Sequence, residues 1–571
     1  MLLTLSALAG VLNAAPAPVF EDATDAVGLG GLSAARVCFV DLNADGRPDV
    51  VIDRALVFLN RAGEGGSPHF EPVATTGLPE VRKGDVLVFA DLDNDGFADA
   101  ILGRSNDVHA ETYEAPPEGT PQVSCWVPGH GDGTFGAFHE FPVEPRTTSA
   151  VSVGDADLDG RLDVYLGNWY VHYGEGYEAY PNDLLLQTST GVFVRAPLPT
   201  DGVAFDEDND AGGRPTYGVV IADLLTDGRP GLLDLNYGRR ANRYMRAVGT
   251  PGSEGAYHDE APTLGVDADD IRHGHYDDWV KEKIEGLEDE KPFRANGNTF
   301  DASVCDVDND RDLDLFIATI RHAWAGESSD VSRLLIQGPD GRFTCPPERQ
   351  PPRDREPPDH WNLGDLFCHL ADLDQDGRVD LLISSGDYPD DQRLRVFRQT
   401  DSGTFESVTS ESGIDHDGSQ QLSLADVDLD GDLDILVGQT FFRYSKEQKA
   451  GREPRVNLFL NRASERGLGH ALDLRLIGDG VRANRDAIGT LVRVTADTDA
   501  DPATPPVTMT RLLAPIGGHA GKQMGFDVHV GLGQATEADR VEVVWPTADP
   551  RAVTTLEHVE MGRHTVRMTQ D

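Results

Sequence analysis

The chain has 571 residues, with 98 Asp and Glu against 49 Lys and Arg and a formal net charge of −49. That length excludes a single ordinary core, and a field of that sign makes nucleic acid and anionic membrane surfaces poor partners. The 61 Gly and 35 Pro call for many turns and short strands, while five Cys, an odd number, imply no disulfide framework.

Residues 1–15 are an apolar stretch ending in small residues, the pattern of a signal peptide, although the first basic residue is Arg36. Export to a periplasmic or extracellular setting is expected. No other run reaches the roughly 18 apolar residues of a membrane helix, so no membrane span is expected. Cys38, Cys305 and Cys368 sit in short apolar runs and read as buried thiols, leaving Cys125 and Cys345 as the pair open to a disulfide.

From residue 41 onward one unit recurs seven times, with start-to-start spacings of 50, 64, 68, 83, 66 and 54. Such an interval fits a propeller array with insertions. Counted from the first acid, positions one, three, five and nine of the repeat carry oxygen side chains. They are Asp41, Asn43, Asp45 and Asp49; Asp91, Asp93, Asp95 and Asp99; Asp155, Asp157, Asp159 and Asp163. After the fourth copy follow Asp306, Asp308, Asp310 and Asp314; Asp372, Asp374, Asp376 and Asp380; and Asp426, Asp428, Asp430 and Asp434. Position six is Gly, except for Arg311 in the fifth copy. The fourth copy has Leu225 and Gly231 at ligand positions and reads as empty.

Each hairpin lies between short apolar runs rich in β-formers, such as Val86–Ala90 before and Ala100–Leu102 after. A third run follows in several units (Leu56–Leu59, Leu334–Ile336, Arg395–Phe397), then a Gly-x-Phe turn opens a fourth, as at Gly133, Gly341 and Gly403. Four antiparallel strands per unit make one propeller blade. Phe20-Glu-Asp-Ala-Thr24 is similar to Phe405-Glu-Ser-Val-Thr409, so a lone fourth strand precedes the first hairpin. It is expected to complete the last blade and remove an exposed edge.

Acids at alternate positions converge on one point, Gly permits the bend, and the ninth carboxylate returns to the same centre. All-oxygen ligands suit Ca²⁺; position 12 is Ile52, Leu102, Leu166, Ile317, Ile383 or Val437, so this is no EF-hand. About five to six calcium ions are expected. Asp, Asn and Gly are also plain turn formers, but six copies with all four oxygen positions argue against that reading.

These Asp-x-Asp/Asn-x-Asp-Gly-x-x-Asp hairpins with Gly-x-Phe turns resemble the FG-GAP/VCBS repeats of integrin α-subunits and bacterial secreted proteins. The resemblance implies a seven-bladed propeller with calcium in its hairpins, over residues 16–462. In the tail, Asn484–Val492, Val530–Gly533 and Val541–Pro546 look like an ASPIC/UnbV domain, although Thr-Ala-Asp follows Pro546 where Ser-Gly is usual. The pairing resembles the cartilage acidic protein family and its bacterial relatives, which implies an extracellular calcium-binding protein and carries over no catalytic residue. Residues 463–571 also read directly as a small β domain, from runs such as Leu472–Leu476 and Val541–Val544.

Residues 237–298 form the longest insertion, with helical character near Asp277 to Lys281 and a His273-Gly-His275 pair that lacks metal-ligand spacing. Gly517 to Gln523 has the wrong glycine spacing for a phosphate loop. The expected fold is all-β: a seven-bladed propeller with a C-terminal sandwich-like domain. The expected function is non-catalytic binding of an extracellular protein or glycan by a monomer. The competing reading is an enzyme acting on polysaccharide, with Asp359, His360 and Trp361 as its candidates.

Overall fold

The computed structural model describes residues 17–53, 55–63, 66–206, 208–353, 362–387, 393–501, 503–513 and 515–569. The expected signal peptide and the candidates Asp359, His360 and Trp361 lie outside them. The fold is all-β; its only α-helices among the described residues are the short Ala261–Leu264 and Asp278–Lys283.

Each repeat folds as an antiparallel four-stranded unit. Unit one is Val37–Val40, Asp49–Ile52, Leu56–Ala62 and Pro68–Pro72; unit three is Thr148–Gly154, Asp163–Asn168, Asp183–Ser189 and Val192–Ala196. In unit seven Ser419–Ala425, Asp434–Gln439 and Asn457–Asn461 are completed by the N-terminal Phe20–Asp22, which pairs Phe20 with Asn461. Units five and six join through Ile320 and Gly364.

The strands beside the hairpins are buried throughout, as in Val86–Ala90 and Asp99–Gly103. Both of their faces are covered, so they read as continuous apolar runs and not as alternating ones. First strands pack side by side in chain order. Thr148–Gly154 lies between Val86–Ala90 and Thr216–Ala222, and Asn298–Cys305 between Thr216–Ala222 and Leu363–Ala371. Ser419–Ala425 meets both Leu363–Ala371 and Val37–Val40, so the last unit returns to the first.

A carboxamide near the end of the third strand ties a unit to the one before it. Gln187 Nε2 donates to Leu92 O at 3.0 Å, Gln337 to Leu224 O at 3.0 Å, Gln399 to Val307 O at 2.9 Å and Asn461 to Leu373 O at 2.8 Å. Asn60 Nδ2 reaches Val427 O at 2.9 Å, linking unit one to unit seven. All five side chains are buried, where an unmet amide would cost about 1–3 kcal/mol.

The C-terminal region holds two sheets. His470–Ile477 pairs antiparallel with Asp527–Gly533 and parallel with Gly562–Arg567. Leu491–Ala496 lies between Val507–Leu512 and Glu537–Val544, and Val553–Glu560 takes the edge. Leu472, Leu474, Val492, Val494, Val541 and Trp545 meet in one core.

Between Val507–Leu512 and Asp527–Gly533 the chain leaves this core and runs among the first strands of the repeat units. Gly518–His519 pairs with Gly218 and Val219, and Ile516 bridges to Val153. Gln523 accepts the Phe89 N–H at 3.0 Å and donates to Phe89 O at 2.9 Å. Lys522 Nζ donates to Ala302 O at 2.9 Å and Cys368 O at 2.7 Å, and meets Asp301 at 2.9 Å. The glycines serve this close approach: at Gly518, with φ of 90°, a Cβ would stand 2.0 Å from Asp301. The glycine-rich stretch that looks faintly like a phosphate loop is thus a plug.

Among the described residues all five cysteines are free; Cys38, Cys305 and Cys368 are buried as expected, while buried Cys125 and exposed Cys345 do not pair. Burial pushes the Cys38 and Cys125 thiols up to about 12.

Candidate metal centres

The acidic hairpins share one backbone path. Position four is left-handed in every copy (Ala44, Asn94, Leu158, Thr226, Asn309, Gln375 and Leu429), and so is position six. Asn at position four tolerates this conformation well. Arg311 holds position six at a φ of 84° where the other copies use Gly. The first carboxylate holds that bend: Asp155 accepts the N–H of Asp159 at 3.0 Å and of Gly160 at 2.9 Å. Asp306 does the same for Asp310 and Arg311, at 3.1 and 3.0 Å.

The ninth carboxylate ties the hairpin to its sheet. Asp163 accepts from Ala156 N–H and Gln187 N–H, each at 2.8 Å. Asp434 accepts from Val427 and Asn461, each at 2.9 Å. Asp49, Asp99, Asp314 and Asp380 bind the same two backbone sites in their units.

Positions one, three and nine converge. In Asp91, Asp93 and Asp99; Asp155, Asp157 and Asp163; Asp306, Asp308 and Asp314; Asp372, Asp374 and Asp380; and Asp426, Asp428 and Asp434, one oxygen from each acid lies within 4.8 Å of the others. These five clusters could hold a metal ion. In unit one Asn43 takes the third place and its Nδ2 donates to Asp45 at 2.9 Å. The fifth-position acids Asp95, Asp159, Asp310, Asp376 and Asp430 are not in these trios. They instead accept the N–H of position seven, as Asp45 does from Arg47 at 2.9 Å and Asp159 from Arg161 at 3.0 Å.

The donor set fits a hard cation. Asp157, Asp308, Asp374 and Asp428 each keep a buried Oδ1 with no hydrogen-bond partner, all four at position three. Buried acceptors are almost always satisfied, and four unpartnered oxygens at one repeat position suit a shared cation, although Asp223 Oδ1 in the fourth hairpin is unpartnered too. Burial, with help from neighbouring carboxylates, pushes Asp49 up to about 7 and Asp99 and Asp314 up to about 8. Fully buried Asp163, Asp380 and Asp434 go well above the usual carboxylate range for the same causes. A cation in each trio would restore the ionised form.

The fourth hairpin shows what replaces the ligands. Gly231 leaves room that the Tyr244 ring fills: a Cβ at Gly231 would lie 2.4 Å from it. Tyr244 Oη accepts the Leu224 N–H at 3.1 Å, the bond made elsewhere by the ninth carboxylate, and donates to Ala222 O at 2.8 Å. Arg246 and Arg229 neutralise Asp227. Among the described residues no acidic trio forms here.

The C-terminal region caps the hairpin side. Arg475 approaches Asp41 at 3.3 Å, and Asp486 accepts the Asp91 N–H at 2.7 Å. Asn94 accepts the Arg485 N–H at 2.8 Å. Among the described residues His273 and His275 belong to no such cluster; His275 pairs with Asp289 at 2.8 Å. The third-strand carboxamides and the plug were missed from sequence, although an Asn or Gln after the third apolar run recurs in five units.

A family described as FG-GAP-like repeat matches residues 306–383 and 372–437, and one described as ASPIC and UnbV matches residues 480–571. The chain carries FG-GAP-like repeats followed by an ASPIC and UnbV domain. Solved structures similar to the chain include one on specific recognition of non-reducing terminal N-acetylglucosamine by an Agrocybe aegerita lectin. It is 15% identical, covers 66% of this chain and 82% of that one, and has a TM-score of 0.39. The rhamnogalacturonan lyase YesW is 14% identical over 71% of this chain and 69% of that one, at a TM-score of 0.30. The Bacillus licheniformis rhamnogalacturonan lyase PL11 is 12% identical over 87% and 92%, at 0.26. Likeness at these scores carries no argument about activity. No helix among the described residues is long and apolar enough to cross a membrane.

Proposed function

We propose that this chain is a secreted, calcium-loaded seven-bladed β-propeller that binds an extracellular protein or glycan without catalysis, as a monomer. Residues 16–462 make the propeller and residues 463–571 the capping domain. Six hairpins take calcium: the five converging trios, and the Asp41, Asn43, Asp45 and Asp49 hairpin of unit one. The ligands are all oxygen, which favours calcium over zinc. The observation that carries the reading is the orphaned buried oxygen repeated at Asp157, Asp308, Asp374 and Asp428.

Calcium then braces the blade ends, and the carboxamide links and plug hold the ring. The hairpin side is covered by the C-terminal domain, so recognition falls to the loops on the other side, where the inserted segments lie. Calorimetric titration of chelator-stripped protein with Ca²⁺ tests this. Several binding events per chain are expected; a chain that takes up no calcium refutes the reading.

A further inference from the structure

On the side away from the acidic hairpins, the connections between second and third strands in units three, four and five surround an open cavity. It measures about 540 Å³, and the end of the long insertion closes one wall. Its volume is within the range that holds small ligands.

Its exposed surfaces are aromatic. Tyr173 is 61% exposed, Tyr177 38% and Trp324 37%. Each is held from behind. Trp324 stacks on His322 with centroids 5.3 Å apart, Tyr173 leans on Tyr170 at 5.5 Å, and Tyr177 meets Phe293 edge-on at 5.4 Å.

Between the platforms stand two guanidinium groups. Arg294 donates to Tyr177 Oη at 3.0 Å and to Glu290 at 2.5 Å. Arg239, whose side chain is only 1% exposed, lies 5.3 Å over the Trp324 ring and also pairs with Glu290. Its Nε is buried with no hydrogen-bond partner. Buried Arg239 and half-buried Arg294 therefore share one carboxylate, Glu290, and Glu175 also lines the cavity. The acid-rich hairpins lie on the other side, and fields are screened beyond about 8 Å at physiological salt.

We propose that this cavity binds a saccharide carrying a carboxylate, a uronate of an acidic polysaccharide. The inference rests on the binding reading above and names its ligand class. Apolar C–H faces of a pyranose ring match the Tyr173, Tyr177 and Trp324 platforms, in the way that aromatic rings serve surfaces with one apolar side. The carboxylate meets the partly exposed Arg294 guanidinium, whose fork geometry suits it, with Arg239 buried behind. A neutral sugar would offer Arg294 no carboxylate.

The test is calorimetric binding of uronate tetrasaccharides (galacturonate and mannuronate) and of their neutral galactose and mannose counterparts, in millimolar calcium. The wild-type chain is compared with Trp324→Ala and Arg294→Met. One uronate is expected to bind, with its neutral counterpart weaker by about tenfold or more. Arg294→Met should weaken the uronate by a similar factor and leave the neutral sugar unchanged; Trp324→Ala should weaken both. Equal binding of neutral sugars, no saccharide binding, or wild-type binding by both variants overturns the proposal, and so does an acidic peptide that binds where no saccharide does. Calcium-dependent melting recorded on the same samples separates a wrong pocket from a wrong metal assignment.

Discussion

Stripping calcium with a chelator is expected to cost this protein a large part of its thermal stability. In each trio the three carboxylate oxygens lie within 4.8 Å of one another. At an effective dielectric of about 20, two unit charges at that separation repel by about 3.5 kcal/mol. The bare hairpin must therefore bind protons or open. A site filled at a hundred times its dissociation constant stabilises the folded state by about 2.7 kcal/mol, so five trios together contribute about 13 kcal/mol. A unit of roughly 450 residues has an unfolding entropy near 0.9 kcal/mol/K. The melting temperature should then fall by about 15 °C on chelation and recover when calcium is restored. Differential scanning calorimetry at fixed pH reads this directly. A shift under about 2 °C, with calcium shown to be removed, would refute the idea that metal braces the hairpins.

Asp434→Asn removes a ligand and weakens the bonds to Val427 and Asn461, so it should lose one calcium and about 2 kcal/mol. Asp223→Asn in the fourth hairpin should lose no calcium, as metal analysis of both variants will show. Lys522→Met leaves Asp301 buried without its cation, which should cost about 3–5 kcal/mol in chemical denaturation. The chelated protein should also have an inverted pH dependence. Burial raises Asp49, Asp99 and Asp314 to about 7 to 8 in the folded state, so the fold binds more protons than the unfolded chain. Stability should be greatest below pH about 4 and fall as pH rises toward about 8. Calcium should abolish that slope; a chelated protein that gains stability over the same window contradicts the reading.

The strands and hairpins were legible because their signals are local and repeat. The acids, the glycine and the flanking apolar runs sit within about a dozen residues of one another. The pairing of Phe20–Asp22 with Asn457–Asn461 was legible from the matching fourth-strand motif alone. The carboxamide links were not. One Asn or Gln after an apolar run looks like an ordinary strand end, and its partner lies in another unit, as Asn60 and Val427 show. The plug was hidden for the same reason: Gly518 and Gln523 gain meaning only beside Val219 and Phe89. The fourth hairpin's missing ligand oxygens at Leu225 and Gly231 were readable, but not that Tyr244 fills the gap, since nothing in Gly231 announces its neighbour. In sequence Arg311 stands where the other copies have Gly, and the fifth hairpin was kept as a site. Two hydrogen bonds to Asp306 hold the bend firmly enough for a left-handed Arg, at a conformational cost of about 1–2 kcal/mol.

Anomalous diffraction from crystals grown in millimolar calcium is the most direct test. Density should appear between the carboxylates of positions one, three and nine in units two, three, five, six and seven, and in the hairpin of Asp41 to Asp49. None should appear beside Asp223 and Tyr244. Hairpins without anomalous density, or a peak in the fourth hairpin equal to the others, would contradict the assignment of metal to these repeats.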